Sequence, residues 1–273
     1  MTFPRRAVQL FAATIVLLMT VSGAFAQGSS SPVLQRIAKT ETLRVGMTSE
    51  QPPFNFTNRD GRIIGLDVDL AGLLAGAMQV KLEIVELPFV ELIPALEEGK
   101  VDIVMSGMTS TLQRNLRVPF IGPYYISGKS ILTKSETLAN IKSAEEMNTE
   151  RLKIAALGGS TSELFVKSTL AKPKLTTTKT IEEAIRLLRT GEVDAVVADS
   201  STCDLNVLRY PEDKLISLAN PLTIEPIGIA LAPGDALLVN LVQNYMQALQ
   251  GTGALDSLQR KWFKNGGWLV QLP

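Results

Sequence analysis

The 273-residue sequence has no histidine and one cysteine. Without histidine it lacks the commonest general base near neutral pH and the commonest zinc ligand. The lone Cys203 excludes an internal disulfide and reads as a small, half-buried hydrophobe. The chain has no Ser-His or Cys-His pair, no Walker A loop and no clustered pattern of metal ligands. No cofactor or metal is expected. Neither sign of charge is in excess, with 27 basic against 27 acidic residues. That balance leaves no footprint for nucleic acid or an anionic membrane surface. Beyond the first thirty residues no apolar run is long enough to span a membrane.

What is present begins with the N-terminus. Arg5 and Arg6 precede an uncharged apolar run from Leu10 to Val21, and Ala24-Phe25-Ala26 closes it with a small-x-small pattern. This is the layout of a cleavable export signal over residues 1–26. The competing reading is a retained anchor, for which the run lies near the lower length limit. Cleavage removes Arg5 and Arg6, so 25 basic residues face 27 acidic ones, a net charge of about −2. No cysteine lies near the cleavage point to carry a lipid. The remainder, 45% hydrophobic and 20% charged over the whole chain, is ample for a sizeable core.

Strand and helix patterns then alternate. Thr42 to Thr48 reads as a strand, broken by Gln51-Pro52-Pro53-Phe54 and the turn signal Asn58-Arg59-Asp60-Gly61. Gly65 to Met78 is helical, with Leu66, Leu70, Leu73, Leu74 and Ala77 on one face. A strand (80–87), a helix (89–98) and a strand (101–106) follow. The pattern restarts with strands at 130–133 and 153–157, helices at 161–170 and 180–190, and a strand at 194–199. The last elements are a strand at 227–231 and helices at 235–249 and 253–263. Strands alternating with helices of this length imply parallel βαβ units.

One phrase occurs twice. LEEGKVDIVMSG (96–107) is echoed by LLRTGEVDAVVAD (187–199), with Gly, Val, Asp and Val at matching spacing. Helix-Gly-strand junctions are common enough for coincidence. The alternative is that the two copies mark equivalent positions in two α/β lobes, Gly ending a helix in each. Polar residues follow both strands, Ser106-Gly107-Met108-Thr109 and Asp199-Ser200-Ser201-Thr202, and ligands of open α/β sheets bind at the carboxyl ends of strands.

Three stretches offer groups for a ligand. In SGMTSTLQR (106–114), small residues admit close backbone approach, and Arg114 has the planar fork that suits a carboxylate or else lies on the solvated surface. In LGGSTSELF (157–165), Ser160 with Glu163 forms a capping box, and the helix start is also an anion site. Asp199 is either a helix N-cap or an acceptor for an ammonium group. Phe89 at a helix start is core packing or a ligand contact. A ligand carrying both a carboxylate and an ammonium, a free α-amino acid, would satisfy guanidinium, helix start and carboxylate together.

With these residues in view the chain resembles the amino-acid-type (family 3) periplasmic solute-binding proteins of ABC importers. The stretches that carry the resemblance are QPPFNF (51–56), GLDVDLA (65–71), LIPALEEGKVDIVMSGMTSTLQR (92–114), VPFIGPYY (118–125), GGSTSELF (158–165), GEVDAVVAD (191–199) and KWF (261–263), essentially the whole exported chain. The resemblance implies an α/β, two-lobed periplasmic-binding-protein-like (type II) fold with two hinge crossover strands and a central ligand cleft. Lobe one would hold 32–125 plus 226–273 and lobe two 126–225, with hinges near 125–127 and 223–225. It implies that Arg114 clamps an α-carboxylate, helped by the Thr109 and Thr161 N–H groups. The Gly107 carbonyl, the Thr109 hydroxyl and Asp199 would take the ammonium, and Phe89 would pack on the side chain. Ser106 and Ser160 adjoin these positions. Gln51 stands where the family commonly has an aromatic residue, and no acid lies at Thr48, although Glu50 is near. Gln51 beside Phe89 points to a polar, uncharged ligand side chain.

The resulting expectation is a monomeric periplasmic receptor that closes on an amino acid and docks on an ABC transporter permease. Two alternatives stand beside it. Cyclohexadienyl (arogenate or prephenate) dehydratases look like this family too, but the acids near the cleft, Glu50, Glu163 and Asp199, leave no clear general acid. A sensory binding protein would use the same cleft and present its ligand to a membrane receptor.

Overall fold

The computed structural model describes residues 31–273, so the export signal expected at 1–26 lies outside the described residues. Two five-stranded sheets organise the chain. The first contains β1 (Thr42–Met47), β5 (Lys81–Glu86), β6 (Ile103–Val104), β7 (Phe120–Ser127) and β13 (Glu225–Leu231), in the order β5-β1-β6-β13-β7. The second contains β8 (Lys129–Thr133), β9 (Lys153–Leu157), β10 (Lys174–Thr178), β11 (Ala195–Asp199) and β12 (Ile216–Ser217), in the order β10-β9-β11-β8-β12. In each, three strands run parallel as the βαβ pattern requires, and the rest pair antiparallel. A small meander of β2 (Glu50–Gln51), β3 (Asn55–Thr57) and β4 (Ile63–Ile64) flanks the first sheet.

The chain leaves the first sheet after Ser127 and returns at Glu225. Where the two passages meet, a Cβ on Gly128 would lie 2.2 Å from the Thr223 carbonyl oxygen. Only glycine allows that approach.

The repeated phrase marks the same junction in both lobes. Gly99 and Gly191 are left-handed, with φ of 67° and 78°. Asp102 accepts from Arg44 N–H at 2.8 Å, and Asp194 accepts from Lys153 N–H at 2.8 Å. Arg44 lies on β1 and Lys153 on β9, strands that hold the same place in their sheets. Asp102 also binds the Arg36 and Arg44 guanidinium groups, a pairing its counterpart lacks among the described residues.

Several elements differ from expectation. A helix over Pro32–Thr40 (α1), with Ile37 buried, was not expected, although Pro32 at its start and Val33, Leu34 and Ile37 at helical spacing signal it. The polar strand β10, KLTTT, alternates too weakly to read. The helix Leu66–Ala77 (α2) buries Leu66, Leu70 and Leu74, but Leu73 is 47% exposed and Ala77 is exposed. Its buried face is rotated toward Asp67, Ala71 and Ala75. Asp67 explains the rotation: its carboxylate faces inward, accepting from Asn55 Nδ2 at 2.7 Å and Gly107 N–H at 3.0 Å. Cys203 is fully rather than half buried, and burial pushes its thiol well up, which leaves it inert.

Candidate functional site

The cleft lies between the lobes, at the ends of β6 and β11, where the two polar stretches meet. One cavity of about 30 Å³ is lined by Gln51, Phe89, Gly107, Thr109 and Arg114 from the first lobe and by Lys129, Leu157, Ser160, Thr161, Ser162, Ile181, Ala198, Asp199 and Thr202 from the second. Such a space holds about two water-sized bodies. The lobes are closed on each other: the Thr109 and Thr161 hydroxyls lie 3.3 Å apart, and Arg114 Nη2 donates to the Gly159 carbonyl at 3.1 Å.

Arg114 stands on a short helix, Leu112–Asn115, capped by the Thr111 hydroxyl at 3.1 Å. Its Nη1 donates to the Thr109 carbonyl at 2.7 Å, and its guanidinium lies 5.5 Å from the centre of the Phe89 ring. Burial lowers its affinity for a proton, against the pull of Asp199 and Glu225. Its fork faces carbonyl groups and, among the described residues, has no paired carboxylate.

The helix Thr161–Thr169 starts at the cavity. The Ser160 hydroxyl accepts from Glu163 N–H at 3.2 Å and donates to the Leu157 carbonyl at 2.6 Å, so it caps the helix while lining the cleft. Glu163 accepts from Gly159 N–H at 2.7 Å, from Lys167 and from Thr177. Burial pushes its carboxyl up, but these donors outweigh it and hold it below the usual range.

Asp199 ends β11 and caps no helix through its side chain. Its Oδ1 accepts from Lys129 Nζ at 2.6 Å. The register of β8 against β11 sets Lys129 directly opposite Asp199, so both side chains share one face. Lys129 has no part in the site expected from sequence. A lysine opening a strand reads as solvent-facing, and the only signal was its place in the apolar run of KSILT.

Ser106 is turned away from the cavity. Its hydroxyl accepts from Thr48 N–H at 3.1 Å and lies 3.4 Å from Asn55 Nδ2. With Asn55 and Asp67 it props the loop that carries Gly107 and Thr109. Burial pushes the Asp67 carboxyl up to about 6, against hydrogen bonds that favour the charged form. The Tyr124 hydroxyl lies close but outside hydrogen-bond geometry. Among the described residues Gln51 Oε1 is buried without a partner, and Gln51, Phe89, Leu157 and Ile181 are shared with an adjoining pocket of about 750 Å³. Glu50, Glu86 and Glu91 line that pocket together with Lys179, so carboxylates outnumber cations in its wall. Burial, then the charges of Glu182 and Glu86, push the Glu50 carboxyl up.

Two α/β lobes that meet over a small polar cleft, with a guanidinium from one and a helix start from the other, define a ligand-enclosing binding protein. Among the described residues no group of three or more His, Cys, Asp or Glu side chains could hold a metal ion. The chain belongs to the bacterial extracellular solute-binding proteins, family 3, whose model matches residues 43–265. It is 30% identical to a probable histidine-binding protein of Neisseria gonorrhoeae, covering 83% of this chain and 85% of that one. It is 25% identical to a cyclohexadienyl dehydratase of Pseudomonas aeruginosa, covering 85% and 86%. A solved structure of an ancestral amino-acid-binding protein, described as a precursor of cyclohexadienyl dehydratase, superposes with a TM-score of 0.77 at 39% identity, covering 84% of this chain and 99% of that one.

Proposed function

We propose that this chain is a periplasmic receptor that encloses a free amino acid between its lobes and delivers it to an ABC importer. The observation that carries the reading is the shared cavity lining: Arg114 and Thr109 from one lobe face Thr161 and Asp199 from the other. On this reading Arg114 exchanges the two carbonyls for the ligand carboxylate. Thr161 N–H, at the helix start, adds a donor. The ammonium takes Thr109, the Gly107 carbonyl and the free oxygen of Asp199. Phe89 and Gln51 contact the side chain, which extends toward the pocket walled by Glu50, Glu86 and Glu91. That wall favours a polar or cationic side chain over an acidic one. Lobe one is residues 32–125 plus 226–273 and lobe two 126–225, hinged near 125–127 and 223–225. Because contacts are split between lobes, the ligand prefers the closed state, which is what lets it shift the hinge.

The test is thermal unfolding against the twenty L-amino acids, after unfolding and refolding to strip bound ligand. At a hundredfold excess over Kd, binding adds about 2.7 kcal/mol, a rise of roughly 5–11 °C for a chain of this size. No shift with any amino acid would sink the reading.

The dehydratase relative makes an enzyme the second reading. It needs an acid at the leaving hydroxyl. Glu163 is held by three donors, Asp199 holds Lys129, and Glu50 lies in the adjoining pocket. We expect no phenylpyruvate on incubation with prephenate.

A further inference from the structure

Lys129 lines the ligand cavity, and its side chain is 1% exposed. A buried ammonium persists only where carboxylates meet it. Two do: Asp199 Oδ1 at 2.6 Å and Glu225 Oε2 at 3.8 Å. They are not equivalent. Asp199 lines the cavity; Glu225 does not, and it also accepts from the Thr223 hydroxyl at 3.0 Å. Lys129 is held in place by its own backbone, whose N–H donates to Thr223 Oγ1 at 2.9 Å, and by the strand register opposite Asp199.

A charge in the cavity therefore meets Asp199 and Lys129 together, with opposite signs at similar range. Coulomb attraction falls with distance, so this near pair presents a dipole where an unpaired Asp199 would present a full negative charge. Glu225 balances the site as a whole but stands outside the cavity wall.

We infer that Lys129 is a specificity-determining residue: by holding Asp199 it removes the cleft's demand for an ammonium, so that 2-hydroxy acids bind alongside the corresponding 2-amino acids. The inference rests on reading the cleft as a site for α-substituted carboxylates clamped by Arg114. In both ligand classes the carboxylate goes to Arg114. At C2, a hydroxyl donates one hydrogen bond to the free Asp199 oxygen where an ammonium would also bring charge. A site whose buried polar group is left unpaired by an analogue rejects it by about 10⁴-fold. Asp199 is never left unpaired, because Lys129 stays, and the Gly107 carbonyl loses one neutral hydrogen bond, a loss of about fivefold that lies within the margin tested below.

The experiment is calorimetric titration of the refolded protein with five matched L-pairs: alanine and lactate, leucine and 2-hydroxyisocaproate, phenylalanine and phenyllactate, glutamate and 2-hydroxyglutarate, arginine and argininic acid. For each pair that binds, the hydroxy acid is expected within about tenfold of the amino acid. In Lys129→Met the amino acid is expected to gain over the hydroxy acid by a further factor of about ten or more. Lys129→Gln, which keeps a donor without the charge, is read in the same way should the methionine variant not fold. Wild-type discrimination above about tenfold, or a ratio unmoved in the variants, overturns the inference and leaves the receptor reading intact. The pair for any amino acid that raises the unfolding temperature is added to these five, and binding of neither member of any pair then overturns both.

Discussion

Arg114 is positioned by the Thr109 and Gly159 carbonyl oxygens, which on the proposed reading leaves it ready for a ligand carboxylate. A guanidinium with a fixed carboxylate partner would have to break that pair before taking another. Arg114→Ala should reduce amino-acid binding by about 2–5 kcal/mol, roughly 30- to 5,000-fold, while the fold survives. Wild-type affinity in a titration of that variant would refute its role. Asp67 makes a prediction of the opposite kind, about pH. Its carboxyl rises from 3.8 to about 6 in the fold, so the native state holds a proton that the unfolded chain has lost between those values. Its contribution is fully present below about pH 4 and declines as pH rises through 6, by about 3 kcal/mol at most. Asp67→Asn should remove that slope, read as the difference between variant and wild type in urea unfolding at pH 4 and pH 7. Sequence reading had placed Arg114 at a cleft from its loop and its family motif. It had no means of seeing Asp67 turned inward, because a carboxylate in the first turn of a helix is equally at home in solvent.

At the scale of elements, the helix pattern and its stop signals were legible wherever periodicity was strong. The two glycine-ended helices before β6 and β11 are the clearest case, since a left-handed residue and a paired Val-Asp recur in both. The helix Ala236–Gly251 (α3) was legible too, but its cap does more than local sequence reveals. Asp235 Oδ1 accepts from Leu238 N–H at 2.9 Å and from Ser31 Oγ at 2.6 Å, and Oδ2 accepts from Val33 N–H at 2.9 Å. One carboxylate thus serves the starts of α3 and α1, joining residues 202 positions apart in sequence. Burial pushes its carboxyl up, yet the donors from Ser31, Leu238, Leu34 and Val33 outweigh it and hold it below the usual range. Its stabilisation is therefore present at neutral pH and lost as pH falls through that lowered value, the reverse of Asp67. Asp235→Ala should cost about 2–4 kcal/mol in urea unfolding.

For the whole molecule the question is closure. Gly159 carries φ of 70°, and a Cβ there would stand 2.7 Å from Val90 Cγ1 on the other lobe. The same residue offers its carbonyl to Arg114. Gly159→Ala should therefore oppose closure more than folding. Ligand affinity is expected to fall about tenfold or more, with unfolding stability changed by about 1 kcal/mol. Small-angle scattering should show less compaction on adding the amino acid than in the wild type. Equal compaction and equal affinity would show that Gly159 does not limit the approach of the lobes.

Local choices are written in neighbouring residues: alternating helices and strands, the glycines that end them, the repeated Val-Asp junction, and polar residues after two buried strands. These are set within a few residues by periodicity and backbone sterics, so they are readable without knowing the fold. Which groups face each other follows from how distant strands and helices pack. Lys129 meets Asp199 because an antiparallel register brings together strands that lie seventy residues apart in sequence. Ser106 faces inward because Thr48 and Asn55 lie beside it, and the buried face of α2 follows Asp67 to the Gly107 loop. Register and sheet order depend on the packing of the whole chain, and the electrostatics of the cleft depend on them.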